Sequence, residues 1–390
     1  MNAVIAGYAR TPFAKFNGQL ASVPAVALGA HAIRAALARA GVSPDDVGLV
    51  FGGNVLQGGQ GQNPARQAAV AAGIPLTTPA MTLNAVCLSG AEAVSAAAAA
   101  IEAGRADVVV AFGMESMSLA PHVVSARAGT KYGAIELIDS LEHDGLTDAF
   151  EHRSMGGSTE EGNRELALPR DAQDRIAARS HARAAAAAEA LAGEIEPFVI
   201  ESRRGSVTVA ADDGVRPDTA EEVLAGLRPA FSSDGTITAG NSSQITDGAA
   251  ALVLVSPAYA SRNGVTGLAT VESTAFVAGP DVRLHAQPAR AILAALARLD
   301  LTPADLAAIE INEAFAAVAL HSAAVLGVDD ELLNAWGGAI ALGHPIGASG
   351  ARIVGTLARQ LAARGGGAVG AAGICGGGGQ GSAIVLRSIG

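Results

Sequence analysis

Residues 35–47 read AALARAGVSPDDV and residues 294–306 read AALARLDLTPADL. At an offset of 259 the two stretches share the residue types of Ala35, Ala36, Leu37, Ala38, Arg39, Pro44 and Asp46. Alanine-rich helices resemble one another by chance, so this pair alone decides little. A second pair decides more. Ser89-Gly90-Ala91 returns as Ser349-Gly350-Ala351 at an offset of 260, and Gly113 returns as Gly373 at the same offset. An apolar, helix-forming stretch follows each tripeptide, and a strand-like run (Val108–Phe112, Ala368–Ala372) then leads into each glycine. Similarity at one fixed spacing is the mark of a duplicated unit. The chain reads as two like halves, about 1–117 and 268–390.

Within each half, Ala/Leu-rich helical stretches alternate with short β-branched runs such as Val108–Val110 and Ile309–Ile311. That alternation predicts an α/β fold with crossover connections and largely parallel sheets covered by helices. Ser43-Pro44 and Thr302-Pro303 read as helix starts, the hydroxyl capping and the proline filling the first helical position. Residues 118–246 differ in texture. They carry most of the charges, the turn-forming Asp212-Asp213-Gly214 and a helical stretch around Arg170–Ala192. They read as an insertion that serves as lid or substrate platform, with about 247–267 returning to complete the first half.

Composition narrows the function. With 26 basic and 37 acidic side chains among 390 residues the net charge is −11, which argues against a nucleic-acid partner. No run of about 18 apolar residues is available to span a membrane. The opening MNAVIAGYARTPFAKF lacks the charged and apolar segments of an export signal. Two cysteines make no disulfide framework and fit a reducing cytoplasm. Glycine, at 48 residues, is well above its usual ~7% and clusters at 52–61, 337–350 and 365–381, where close backbone approach or positive φ is expected.

Cys87 lies in Asn84-Ala85-Val86-Cys87-Leu88-Ser89-Gly90, just ahead of the helix that begins at the repeated tripeptide. There the helix dipole and unpaired backbone N–H groups are expected to favour thiolate, the reactive form. An inert buried cysteine is the alternative. Cys375 sits in Gly373-Ile374-Cys375-Gly376-Gly377-Gly378-Gly379, a glycine run without the Gly-Lys-Ser/Thr of a phosphate loop. His344 stands five residues before Ser349, as Asn84 stands five before Ser89, so it occupies the duplicate of the Cys87 loop. Asn312 follows the strand Ile309–Ile311, at the end where open α/β sheets bind ligands, although a helix cap or turn would also account for it. No zinc spacing or EF-hand pattern occurs, so no metal is expected.

Taken together these motifs resemble the thiolase family of acyl-CoA C-acyltransferases. The resemblance runs through Asn-x-x-Cys-x-Ser-Gly at 84–90, Gly-Met-Glu-Ser-Met-Ser at 113–118 and Gly-Leu-Thr-Asp-Ala-Phe at 145–150. It continues through Leu-Arg-Pro-Ala-Phe at 227–231, Thr-Ala-Gly-Asn-Ser-Ser at 238–243, Asn-Glu-Ala-Phe-Ala at 312–316 and Gly-His-Pro-Ile-Gly-Ala-Ser-Gly at 343–350. It implies a five-layer αβαβα fold from two duplicated βαβαβαββ halves with an inserted loop domain. It also implies that Cys87 is the acylated nucleophile, His344 its activator and Cys375 the acid/base at the α-carbon. One oxyanion hole would be His344 with a water on Asn312, the other the backbone N–H groups of Cys87 and Gly377. Coenzyme A would be a substrate, with no resident cofactor, and would run past Met155, Arg216, Ala239, Ser243 and Phe315. Further implications are a homodimer or homotetramer and a possible hydratase/dehydrogenase partner.

Three departures from the family pattern bear on the substrate: Ser154 before Met155-Gly156, Trp336 before Gly337-Gly338, and Leu284-His285-Ala286-Gln287-Pro288. A decarboxylating ketoacyl synthase-like enzyme is the alternative, opposed by the second cysteine. A non-catalytic thiolase-like acyl-CoA or lipid-binding protein is another, opposed by the intact Cys87, Asn312, His344 and Cys375.

Overall fold

The computed structural model describes residues 2–203 and 205–389. The first half runs β1 (Val4–Arg10), α1 (Ala25–Ala40), β2 (Leu49–Gly53), α2 (Pro64–Ala71), β3 (Ala80–Leu83), α3 (Ser89–Glu102) and β4 (Val108–Glu115). The chain then passes through α4 (Met155–Glu165) and α5 (Arg170–Ala186) before β5 (Thr246–Val255) rejoins the first half. The second half repeats the order without a counterpart of β3: β6 (Ala269–Ala278), α6 (Gln287–Ala297), β7 (Ala308–Ile311), α7 (Ala316–Leu326), α8 (Ser349–Arg364), β8 (Val369–Gly376) and β9 (Gln380–Ser388). The helical stretch expected at 170–192 is broken at Ala187 into α5 and a short helix, Ala188–Ala192. The Ser-Pro and Thr-Pro starts open only single 3₁₀ turns, Pro44–Asp46 and Pro303–Asp305.

The main sheet follows the order β7-β8-β9-β6-β1-β5-β4-β2-β3, which reads outward from its centre alike in both directions except that β3 has no counterpart beyond β7. The two halves meet at β1 and β6, where Val4 faces Thr270 and Ile5 faces Ala269. The expectation of largely parallel sheets needs correction. Parallel pairing is confined to β3-β2, β2-β4 and β8-β7; the other neighbours on this path are antiparallel. Only strands linked through a helix are obliged to run parallel. β9 follows β8 through the tight turn 377–379, and β5 returns after a long excursion, so both enter antiparallel.

Strand periodicity builds the layers. In β4, Val108, Val110 and Phe112 face α1 and α2, while Val109 and Ala111 face the centre. The central core joins Val94 and Ala97 of α3 and Leu357 and Leu361 of α8 to residues of both half-sheets, including Leu252 and Ile384. On the far side Ile292 and Leu296 of α6 pack with Ile309 and Val385. Helix, sheet, helix pair, sheet and helix therefore stack in five layers. Among the described residues no helix is long and apolar enough to cross a membrane.

The repeated tripeptide lies where the two central helices touch. A methyl group on Gly90 would come within 2.7 Å of the Ala351 nitrogen, and one on Gly350 would collide with the Ala91 nitrogen. Glycine is required here by mutual approach, since both residues are ordinary helical positions. Gly350→Ala should therefore lower stability by about 1–3 kcal/mol through overpacking. Urea unfolding of the variant beside the wild type measures it.

Candidate active site

Four segments at one end of the central layer converge on a cavity of about 590 Å³. They are the loop before α3, the loop before α8, the β8–β9 turn and the region around Met155 and Ser242–Ile245. Cys87, His344, Cys375 and Gly377 all line it. So do Met155, Arg216, Ala239, Ser243 and Phe315. Asn312 is the exception: it does not line the cavity wall and is fully buried just past β7.

Each loop is tied down by the serine that follows it. Ser89 Oγ accepts from the Ala85 N–H (2.9 Å) and donates to the Val86 carbonyl (2.6 Å). Asn84 Oδ1 accepts from the Val86 N–H at 3.0 Å. Between these ties Val86 adopts φ +53°, a left-handed conformation costly for a β-branched residue. That strained turn delivers Cys87 to the N-terminus of α3, and nothing in the sequence signals it.

In the second loop Ser349 Oγ donates its single proton to the Pro345 carbonyl (3.0 Å) and lies 2.5 Å from His344 Nδ1. The serine must then accept from His344 Nδ1–H, which leaves Nε2 as a free acceptor. Nε2 has no partner among the described residues although His344 is only 6% exposed. Burial, reinforced by the charge of Arg352, pulls the imidazole down to about 3, so it stays neutral.

The thiols correct the expectation of a resting thiolate. Burial pushes Cys87 up to about 12; the N–H groups of Cys87 and Gly377, both directed at Sγ, pull it partway back, and the Glu115 carboxylate adds to the rise. Cys375, 1% exposed, is pushed further up by burial and then by proximity to Cys87. Desolvation outweighs the helix terminus here. Both sulfurs rest as thiols, and Cys87 needs a base at the moment of reaction.

Among the described residues neither side-chain atom of Asn312 finds a hydrogen-bond partner, although the residue is 0% exposed. A buried amide with both ends unpaired is costly, about 1–3 kcal/mol per group, and marks a place meant for a ligand or water. Its counterpart in the first half, Asn54, donates to Glu115 Oε1 at 2.8 Å.

The remaining wall includes residues that the motifs did not single out. Val86, Met117, Leu146 and Ile346 form an apolar side, and Leu284 and Ser154 line the cavity as well. Phe231 meets Phe315 edge to face with centroids 6.2 Å apart, in a space that only glycine at 156 leaves open. The Arg216 N–H donates to Nδ1 of His181, whose pKa is lowered to about 4 by burial and by the Arg216 charge. Of the three departures, Ser154 and Leu284 stand at the wall. Trp336 packs instead beside Ala184 and Leu191, and His285 is buried against Asn163 Oδ1 at 2.8 Å.

Comparisons with known proteins bear on the chain as a whole. Residues 3–258 match the family model described as thiolase, N-terminal domain, and residues 265–388 the one described as thiolase, C-terminal domain. The chain is 51% identical over 388 residues to a probable acetyl-CoA acetyltransferase of Mycolicibacterium smegmatis, covering 98% of this chain and 100% of the relative. It is 47% identical over 389 residues to the acetyl-CoA acetyltransferase of Cupriavidus necator, covering 98% of each. It is 44% identical over 389 residues to a cytosolic acetyl-CoA acetyltransferase of Gibberella zeae, covering 99% of this chain and 98% of the relative. Family models that account for nearly every residue, and full-length relatives at this identity, establish that the chain belongs to the thiolase family.

Proposed function

We propose that this protein is an acyl-CoA C-acyltransferase that cleaves 3-ketoacyl-CoA with coenzyme A and runs the reverse Claisen condensation with acetyl-CoA. The observation that carries the reading is one cavity shared by two thiols and an imidazole whose free nitrogen is an acceptor. Its relatives are named for acetyl transfer with acetyl-CoA, which supports a short acyl group. Ser154 and Leu284 stand in the cavity wall together with the apolar side beside Cys87, so they bear on which acyl group is accepted.

In thiolysis, His344 Nε2 takes the Cys87 proton as sulfur attacks the 3-keto carbon. The oxyanion is held by the oriented donors, and the C2–C3 bond then breaks. Cys375 donates its proton to C2, releasing acetyl-CoA and leaving the shortened acyl group on Cys87. Coenzyme A then attacks that thioester, its thiol proton passing to Cys375, and the Cys87 sulfur leaves and recovers the proton from His344. Condensation is the same path reversed, with Cys375 thiolate removing the α-proton of acetyl-CoA. Two N–H groups aimed at Sγ, from Cys87 and Gly377, support one oxyanion hole; His344 with a water on the unpaired Asn312 amide would supply the other. Each such donor is typically worth ~10²–10³ in rate.

Residues 118–246 serve in this reading as the substrate platform. Met155, Arg216, Ala239, Ser243 and Phe315 mark the coenzyme's course, with its phosphates largely solvated. Coenzyme A enters as substrate and no resident cofactor is needed. A homodimer or homotetramer is supported by β3, an edge strand of the main sheet, with Met81 54% and nearby Leu76 70% exposed. Edges of that kind invite pairing with another copy. Free cysteines fit a cytoplasmic site of action. A hydratase/dehydrogenase partner would supply the 3-keto group.

Cys87→Ser should abolish acyl-enzyme formation, read by intact-protein mass after incubation with acetyl-CoA. Cys375→Ser should still acylate but lose about 10²–10⁴ of condensation rate; a variant condensing at the full rate would refute the assigned base. Loss of acetoacetyl-CoA enolate absorbance on adding coenzyme A tests the activity itself. Absence of turnover at every chain length would favour an acyl-CoA carrier. Because His344 is held near 3, thiolysis should show no acid limb with the ordinary histidine midpoint near 6.5. A pH profile of kcat/KM checks this. Sedimentation velocity should give a dimer or tetramer, and Met81→Lys should weaken it.

A further inference from the structure

The offset of 260 that relates the Cys87 loop to the His344 loop also carries Cys87 onto Gly347 and Glu115 onto Cys375. Strand register adds a third pair. Gly53 pairs with Gly113 and Ile311 pairs with Gly373, so Asn54 and Asn312, each the next residue along, are counterparts. The fold thus holds one three-residue arrangement twice. Cys87, Cys375 and Asn312 make the copy at the cavity, where the amide is unpartnered. Gly347, Glu115 and Asn54 make the other copy, and there a carboxylate from the chain itself occupies the donors.

Glu115 ends β4 and is 0% exposed. Its Oε1 accepts from Asn54 Nδ2 at 2.8 Å and from the Leu56 N–H at 3.1 Å. Its Oε2 accepts from the Val55 N–H at 3.0 Å and from the Gly347 N–H at 2.9 Å. The last contact is the telling one. Gly347 lies three residues beyond His344 in the same loop, so this carboxylate ties the histidine loop of one half to residues 54–56 of the other. A methyl group on Gly347 would come within 2.7 Å of Oε2, which shows how closely the loop is drawn in.

We infer that Glu115 is a positioning residue for acyl transfer: by clamping Gly347 against residues 54–56 it fixes where His344 stands over Cys87. The inference rests on the acyl-transfer reading given above. Burial pushes the Glu115 carboxyl up to about 7 while its N–H donors pull it back. Misplacing a reactive group by an ångström can cost ~10² in rate, ample for a loop clamp to matter.

The test compares Glu115→Ala with Glu115→Gln, which keeps an acceptor for Gly347. In Glu115→Ala, kcat for acetoacetyl-CoA thiolysis should fall at least about tenfold, with KM for both substrates within about twofold. Iodoacetamide alkylation of Cys87 should slow in parallel, since it too depends on His344. Glu115→Gln should stay within about threefold of the wild-type kcat. Melting temperatures report folding, and Asn54→Ala, which removes one donor to the carboxylate together with its bond to the Met114 carbonyl, takes over if Glu115→Ala does not fold. It should lower kcat about twofold or more at unchanged KM. The inference is overturned if Glu115→Ala keeps kcat within twofold, if Glu115→Gln falls as far as Glu115→Ala, or if the loss is in KM alone. With Glu115→Ala unfolded, wild-type kcat in Asn54→Ala overturns it. A wild type without thiolase activity would instead sink the acyl-transfer reading beneath it.

Discussion

The close approach of α3 and α8 governs the rest of this molecule. Each helix begins with Ser-Gly-Ala, and at Gly90 and Gly350 the two backbones lie too near for any side chain to intervene. That contact brings the two helix N-termini together, and with them the loops that end in Cys87 and His344. Chemistry needing a thiol and an imidazole in one place is thus obtained from residues 257 positions apart (344 − 87). The serine of each tripeptide then fixes its own loop, holding the Val86 turn in one case and the tautomer of His344 in the other.

Duplication left two potential sites, and the halves have treated them oppositely. Where the first half places the Glu115 carboxylate, the second places the Cys375 thiol. One copy is consequently satisfied internally, its N–H groups and amide spent on the carboxylate. The other keeps an unpartnered Asn312, N–H groups aimed at Cys87 and a free His344 nitrogen around a cavity. Unspent, fixed donors are the raw material of oxyanion stabilisation, because they need no reorganisation when charge develops. Desolvation by the surrounding protein favours the protonated form of both thiols at rest.

Much of this was legible in the residues. The repeated tripeptide marked the duplication, while the contact that requires its glycines, α3 against α8, is visible only in the folded chain. Cys87, His344, Cys375 and Gly377 were found by motif and do share a cavity, as do Met155, Arg216, Ala239, Ser243 and Phe315. Other features lay outside what a linear reading can supply. Antiparallel entry of β5 and β9 depends on connections without helices. The left-handed Val86 is imposed by Asn84 and Ser89, against its own preference. The ionisation of Cys87 was misjudged because a helix terminus can be read from sequence while burial cannot. Glu115 passed unnoticed within its motif, since its partners at 54–56 and 347 are remote along the chain.

The central claim is that the two halves close so that Cys87 and Cys375 face each other across one small cavity beside His344. Dibromobimane, which becomes fluorescent when it bridges two neighbouring thiols, tests this directly. The account predicts a single bridged product, with Cys87 and Cys375 peptides joined in the digest, and no bridging once acetyl-CoA has acylated the enzyme. Two separately alkylated cysteines with no bridge would contradict it.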